Sequence, residues 1–189
     1  MSEKLKIGIS IGDVNGIGLE VIIKTLADHK ILDYCTPIVY GQTKIASFHR
    51  RAINISDFNF QVIDHASQAQ HRKANMINCW DEDVKIDLGQ VTENGGKYAL
   101  ISLQRATDDL LRGDIDALVT APINKDNIQS EEFKFPGHTE YLQERDGAAE
   151  SLMFLVSDTL RIGVVTGHIP LNSVAQSITT EKILAKLKL

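Results

Sequence analysis

The sequence predicts an α/β fold with a largely parallel sheet. Short apolar, β-branched runs alternate along the 189 residues with segments whose apolar side chains recur at helical spacing. Several of these runs are followed at once by polar, glycine-containing loops, which is typical of the carboxyl ends of parallel strands. Apolar residues make up 43% of the chain, enough for one domain with a sizeable core or for part of a larger one.

The first predicted unit is a strand, Leu5–Ile11, followed by an amphipathic helix. The helix is predicted because four apolar residues fall at i, i+3, i+4 and i+7: Leu19, Ile22, Ile23 and Leu26. The stretch "GDVNGIGLE" between them is therefore a strand-to-helix loop, a usual place for ligands in α/β sheets.

The glycines of this loop follow neither standard phosphate-binding pattern. Gly12, Gly16 and Gly18 give G-x-x-x-G-x-G rather than the Rossmann G-x-G-x-x-G, and no lysine follows them as in a P-loop. A helix N-terminus attracts anions, but Asp13 and Glu20 already bring two carboxylates there. The loop is predicted to face a hydroxyl-bearing ligand, a cation or the helix dipole, with a tight, self-capped turn as the structural alternative.

The later elements continue the alternation. Strands are predicted at Thr36–Gly41, Phe60–Asp64, Ala117–Thr120 (a buried one) and Leu160–Thr166, and helices at Thr43–Arg51, at Lys97–Arg112, near Thr139 and from Thr180. The Lys97–Arg112 helix ends at Gly113 and carries four leucines on one side: Leu100, Leu103, Leu110 and Leu111. The segment His65–Asn78 is polar and gives no prediction.

The last helix, within Thr179–Leu189, stops without a cap, a glycine or a following strand. An α/β unit normally returns from such a helix to another strand, so we expect the chain to be cut within its fold. We expect an incomplete first α/β domain over residues 1–125 and the beginning of a second over residues 126–189.

Composition narrows the possible partners and location. A net charge of −5 gives no general attraction to nucleic acid or to an anionic membrane. The N-terminal stretch is too polar for a signal peptide, and no apolar run reaches transmembrane length. Cys35 and Cys79 lie far apart with no C-x-x-C motif, so we expect reduced thiols and a cytoplasmic protein.

Two loops of the later half carry histidines in suggestive positions. His168 lies just after the apolar run Ile162–Val165, at the expected carboxyl end of a strand. An imidazole at this position is either a metal ligand or a hydrogen-bonded loop residue. His138 and Thr139 follow the turn at Pro136-Gly137. They are either donors that grip a polar or phosphorylated ligand, or an exposed loop residue and a helix N-cap.

A third polar loop, Thr120–Lys125 ("TAPINK"), follows a predicted strand. Asn124 and Lys125 can reach a carboxylate or phosphate, or equally satisfy backbone groups and solvent. There is no G-x-S-x-G motif and no nucleophile–base pair, so covalent hydrolase chemistry is not indicated. The remaining histidines lie in polar surroundings and are predicted to be surface residues: His29, His49, His65 and His71.

Four of these loops, taken in order, carry a resemblance. "GDVNGIGLE", "GDIDALVTAPINK", "FKFPGHTEYL" and "LRIGVVTGHIPL" closely resemble the 4-hydroxythreonine-4-phosphate dehydrogenase family of pyridoxal 5'-phosphate biosynthesis, and the match covers essentially the whole chain. That family is similar in fold to isocitrate and isopropylmalate dehydrogenases, so the resemblance implies their two-domain fold. In the first loop Val14-Asn15 and Leu19 stand where the family often has Pro-Ala and Pro. The glycines and both carboxylates remain, so we expect the loop to shape the cleft near the nicotinamide.

The resemblance implies oxidation of 4-phosphooxy-L-threonine by NAD or NADP. The product is a 3-oxo acid that decarboxylates to 3-amino-2-oxopropyl phosphate, with a divalent metal (Zn, Mg or Co) polarising the substrate oxygens. His168 matches the first of the family's three metal-binding histidines, and His138 and Thr139 match its substrate-binding pair. No residue is assigned as the catalytic acid–base or as cofactor-binding.

The resemblance also implies a longer chain and a homodimer whose subunits share the active site. The family's other two metal histidines lie in the part that would follow Leu189, so we expect the 189 residues alone to be inactive. Two alternatives stay open. One is a dehydrogenase of a four-carbon sugar-acid phosphate, such as threonate or erythronate 4-phosphate, and the other is a non-catalytic remnant or binding module.

Overall fold

A computed structural model describes residues 4–189 as two compact units. The first ends at His138 and the second runs from Thr139 to Leu189. The domain division expected after residue 125 stays a prediction.

The first unit contains a five-stranded sheet in which every neighbouring pair is parallel. Its strands are β1 (Lys6–Ser10), β2 (Thr36–Gly41), β3 (Gln61–Ile63), β4 (Asn75–Asn78) and β5 (Ala117–Thr120), in the order β3-β4-β2-β1-β5. The prediction of an α/β fold with a parallel sheet is therefore confirmed. Because all five strands run the same way, their carboxyl ends share one edge of the sheet.

Three α-helices accompany this sheet: α1 (Gly18–Ala27), α2 (Thr43–Ala52) and α3 (Glu93–Leu111). Short 3-10 helices cover His29–Asp33 and Ala66–Gln68. The four apolar residues that predicted α1 are all buried. In α3 the prediction fails at Leu111, which is exposed in the last turn, just before Gly113 ends the helix with a φ of +76°.

The core lies on both faces of the sheet. Val39 of β2 packs into a cluster with the apolar residues of α1, whereas its neighbours Ile38 and Tyr40 pack into a second cluster with Ala106 of α3. Alternate residues of a strand point to opposite faces, so helices on both sides bury β2 completely. The first unit is therefore built in helix–sheet–helix layers.

Two strands differ from the sequence predictions. β4 lies in the segment that gave no prediction, because its Asn75 looks like a loop residue. Asn75 is fully buried, and its Nδ2 donates to three carbonyl oxygens: those of Pro37, Gln70 and Lys73. β5, predicted to be buried, is the last strand on its side of the described sheet, and Val119 is half exposed.

The second unit is smaller and contains no parallel strands among its described residues. After α4 (His138–Asp146) come β6 (Phe154–Val156) and β7 (Arg161–Gly163), which pair antiparallel, and then α5 (Leu171–Ser177) and α6 (Thr180–Leu187). The strand predicted over Leu160–Thr166 is thus shorter than expected. Within residues 4–189, no helix has both the length and the hydropathy needed to cross a membrane.

Candidate functional site

The loops that follow β1 and β5 meet at the carboxyl edge of the sheet. We call residues 11–17 the first loop and residues 121–127 the β5 loop. Asp13 N donates to Pro122 O at 3.1 Å. Gly12 has a φ of +68°, and a Cβ there would lie 2.1 Å from Pro122 O, so only glycine fits both the conformation and the close approach.

Asp13 is buried between these two loops, and each of its carboxylate oxygens accepts a hydrogen bond. Oδ1 accepts from Asn15 N at 2.8 Å, and Oδ2 accepts from Asn127 Nδ2 at 2.9 Å. A Cβ on Gly95, in the first turn of α3, would lie 2.5 Å from Oδ1. The carboxylate therefore lies against the N-terminus of α3, where the helix dipole favours an anion, and occupies that place itself.

The predicted alternative of a tight, self-capped turn before α1 is partly wrong. Glu20 Oε1 lies 2.5 Å from Lys24 Nζ, one turn further along the helix, and the N-cap residue Ile17 makes no side-chain capping hydrogen bond. The turn is tight, since Gly16 N donates to Asp13 O at 3.0 Å, but it is not self-capped.

The start of α3 joins the two loops together. Asn127 Nδ2 donates to Thr92 O at 2.9 Å, and Thr92 Oγ1 accepts from Asn15 Nδ2 at 2.8 Å. A Cβ on Gly96 would lie 1.8 Å from Asn127 O. This network was not predicted from the sequence. The available signal was the Gly95-Gly96 pair at a helix start, since consecutive glycines there indicate close backbone approach.

Asn124 and Lys125 of the β5 loop have different roles. Asn124 Oδ1 accepts from the backbone N–H groups of Asp126 and Asn127, at 2.9 and 3.3 Å, so this side chain stabilises the turn. Lys125 is exposed, and its ammonium group makes no ion pair with any residue in the range 4–189. The Asn124 side chain therefore hydrogen-bonds to backbone groups, which was one of the two predicted alternatives. The ammonium group of Lys125 remains available to bind an anion, which was the other.

His138, the first residue of α4, is half-buried. Its Nε2 is buried and has no hydrogen-bond partner within the described part of the chain. Burial first, and then the positive charge of Lys125, lower the pKa of His138, which favours the neutral imidazole near pH 7. Thr139 is exposed inside the first turn of α4, so its predicted alternative as an N-cap is wrong.

His168 is exposed in a bend of the second unit. β7 ends at Gly163, well before this residue, and its partner strand is antiparallel. His168 therefore does not lie at the carboxyl end of a parallel strand. Among residues 4–189, no three His, Cys, Asp or Glu side chains are placed to hold a metal ion.

His49 is the histidine whose surface prediction is wrong. It lies on the face of α2 that is buried with Ile45 and Ala46, and its Nε2 donates to Val14 O of the first loop at 2.8 Å. Burial lowers the pKa of His49, against the opposing effect of this backbone hydrogen bond. The other three histidines of that prediction are exposed, as expected: His29, His65 and His71.

A cavity of about 420 Å³ adjoins the second half of α3 and the 3-10 helix after β3. Its charged side chains surround the buried carboxylate of Asp109. Tyr40 Oη donates to Asp109 Oδ2 at 2.7 Å, while Arg105 and Arg112 pair with Oδ1. This cluster shares no residue with the two loops described above.

Comparisons with known proteins point to one family. The model of the family described as "Pyridoxal phosphate biosynthetic protein PdxA" matches residues 33–189. A 4-hydroxythreonine-4-phosphate dehydrogenase of Bacteroides thetaiotaomicron is 47% identical over 97% of this chain, which covers 50% of that relative. A putative D-threonate 4-phosphate dehydrogenase of Oceanobacillus iheyensis is 33% identical over 97% of this chain, which covers 56% of that relative.

Solved structures agree with these sequence matches. The crystal structure of a 4-hydroxythreonine-4-phosphate dehydrogenase from Burkholderia phymatum is 30% identical, with a TM-score of 0.87, over 99% of this chain and 57% of that one. The enzyme of the same name from Klebsiella pneumoniae is 28% identical, with a TM-score of 0.86, over 98% of this chain and 57% of that one. The chain thus spans about half the length of the relatives it matches.

Proposed function

This chain belongs to the PdxA family of pyridoxal phosphate biosynthetic proteins, and we propose that it provides part of an NAD(P)-dependent dehydrogenase. The proposed substrate is 4-phosphooxy-L-threonine, which is oxidised at its hydroxyl group to a 3-oxo acid that decarboxylates to 3-amino-2-oxopropyl phosphate. The observation that carries this proposal is the 47% identity to the Bacteroides relative over nearly the whole chain. On the same basis we propose the two-domain fold of isocitrate and isopropylmalate dehydrogenases, and a cytoplasmic location.

We assign substrate binding to His138 and Thr139. The half-buried, neutral imidazole of His138 suits hydrogen bonding to a substrate oxygen, and the exposed Thr139 hydroxyl can do the same from the first turn of α4.

The first loop is proposed to form the wall beside the nicotinamide. In support, Asp13 is turned inward to Asn127, while the apolar Ile17 is exposed.

The family implies a nicotinamide cofactor and a divalent metal, and we propose His168 as the metal ligand that this chain contributes. The described residues hold no three metal-binding side chains in one place, so they do not by themselves fit a metal ion. We propose instead that the active site is completed in a homodimer with shared residues.

The relatives supply a specific second candidate. A putative D-threonate 4-phosphate dehydrogenase matches this chain at 33% identity, and a D-threonate 4-phosphate dehydrogenase of Cupriavidus necator matches it at 34%. D-threonate 4-phosphate and 4-phosphooxy-L-threonine both carry a hydroxyl, a carboxyl group and a phosphate. The amino group of 4-phosphooxy-L-threonine stands where threonate has a hydroxyl, so turnover of the two compounds separates the candidates.

The test is a chimera in which residues 1–189 replace the matching half of the Bacteroides relative. We expect metal-dependent reduction of NAD or NADP with 4-phosphooxy-L-threonine, and a loss of activity of about a hundredfold or more in His138→Ala. We expect the isolated 189 residues to produce no NADH. Faster turnover of D-threonate 4-phosphate would support the second candidate, a D-threonate 4-phosphate dehydrogenase. Binding of either compound without turnover would instead indicate a non-catalytic binding module.

A further inference from the structure

We propose that Lys125, held beside His138 by the side chain of Gln129, is the cation that binds the anionic group of the substrate. The inference rests on the proposed function, and it names a residue that neither the family match nor the assigned pair provides. The chemistry recognised is a phosphate or carboxylate group.

Gln129 joins the β5 loop to the segment that leads into α4. Its Nε2 donates to Lys125 O at 3.2 Å and to Phe135 O at 3.1 Å. A side-chain amide has two N–H groups, and here each one is used by a carbonyl of a different segment. The amide therefore sets the spacing between the backbone of Lys125 and the turn that ends at His138.

The chain between these two segments is itself anchored. Ile128 and Phe133 are almost completely buried. Ser130 N donates to Phe133 O at 3.1 Å, and Phe133 N donates to Ser130 Oγ at 3.1 Å, which closes a tight turn. Lys125 and His138 are thus brought together by a folded segment.

The charges near Lys125 leave its ammonium group available. Asp13, the buried carboxylate of the site, is bonded to Asn127 and not to Lys125. A neutral imidazole beside an ammonium group adds a hydrogen-bonding atom without a second positive charge, and this combination suits one anionic group. An exposed cation next to a half-buried imidazole therefore matches the phosphate or carboxylate of the proposed substrate.

The test is an NMR titration of the 189-residue chain, following the imidazole signals of His138. The probes are methyl phosphate in one series and acetate in the other, which separates the two anionic groups. We expect saturable binding of at least one probe, weakened about fivefold or more by Lys125→Met and by less than about twofold by Lys125→Arg. Lys134→Met, at another exposed lysine of the same segment, is the matched control and should leave binding unchanged.

Gln129 is a positioning residue, and a double-mutant cycle tests that role. Gln129→Ala should weaken binding in the wild-type background and cause no further loss in Lys125→Met, because it acts through Lys125. Equal losses in both backgrounds would show a general effect on folding and overturn the positioning role.

The same affinity in Lys125→Met and wild type would overturn the proposal, as would the absence of saturable binding with both probes. The dehydrogenase proposal can be overturned by a separate result. In that case the chimera would not reduce NAD(P), although methyl phosphate or acetate still bound with the expected dependence on Lys125.

Discussion

Gly96→Ala gives the sharpest test of how α3 packs on the β5 loop. In an exposed helix interior this change stabilises a protein by about 1 kcal/mol, because alanine has the higher helix propensity. At Gly96 the added Cβ would lie 1.8 Å from Asn127 O, 2.3 Å from Asn127 C and 2.7 Å from Ile128 N. These are backbone atoms, so the β5 loop must move away rather than a side chain rotate.

The size of the effect follows from what that movement disrupts. Overpacking costs about 1–3 kcal/mol. The charged hydrogen bond from Asn127 to Asp13 is worth about 1.5–3 kcal/mol, and part of it is lost when the loop moves. Against a propensity gain of about 1 kcal/mol, we expect a net loss of about 1–4 kcal/mol in the free energy of unfolding.

Urea unfolding monitored by tryptophan fluorescence measures this loss. The single tryptophan, Trp80, is buried, and its ring centroid lies 4.7 Å from that of Tyr98 in α3. Its fluorescence therefore reports on this part of the first unit. With a slope of about 2 kcal/mol/M, the midpoint should fall by about 0.5–2 M. Gly167→Ala is the matched control, because a Cβ there meets nothing within 4 Å. A Gly96→Ala chain as stable as wild type would refute the reasoning.

Three further predictions concern buried polar groups of the first unit. Ser102→Ala should lower the free energy of unfolding by about 2 kcal/mol in urea titration, because Ser102 Oγ accepts from Ile11 N and donates to Tyr40 O. His49 has a lowered pKa in the folded state, so the unfolded chain takes up its proton first as the pH falls below about 6.5. Stability should therefore decrease as the pH drops through this range, and His49→Gln should flatten that part of the stability–pH profile; an unchanged slope would contradict the assignment. Burial raises the pKa of Cys79 to about 12, so in a Cys35→Ala chain a thiol reagent at pH 8 should modify the remaining thiol slowly, and rapid labelling of that folded chain would contradict this.

Several elements could be predicted because their signals are local. The helical spacing of Leu19, Ile22, Ile23 and Leu26 gave α1, and Gly113 marked the end of α3. The apolar run Thr36–Gly41 gave β2 to the residue. The four polar loops also carried the family resemblance, since motif and spacing are properties of the sequence itself.

Other features were hidden from the sequence because their partners are distant along the chain. Asn75 looks like a loop residue until three carbonyl oxygens satisfy its amide inside the sheet. His49 looks exposed until α2 turns it toward Val14 O. A buried polar residue is stable only when it is hydrogen-bonded, and no local pattern shows which distant atom will do so.

The sequence by itself determined the α/β class, the first helix and the loops that identify the family, because periodicity and glycine position act over a few residues. Only the tertiary structure decided what the carboxylate of Asp13 does. Asn127 lies 114 residues away from it, and the two meet because β1 and β5 are neighbours in a parallel sheet. The anion-favouring start of α3 is filled by this internal carboxylate, whereas Lys125 keeps an exposed ammonium group beside His138.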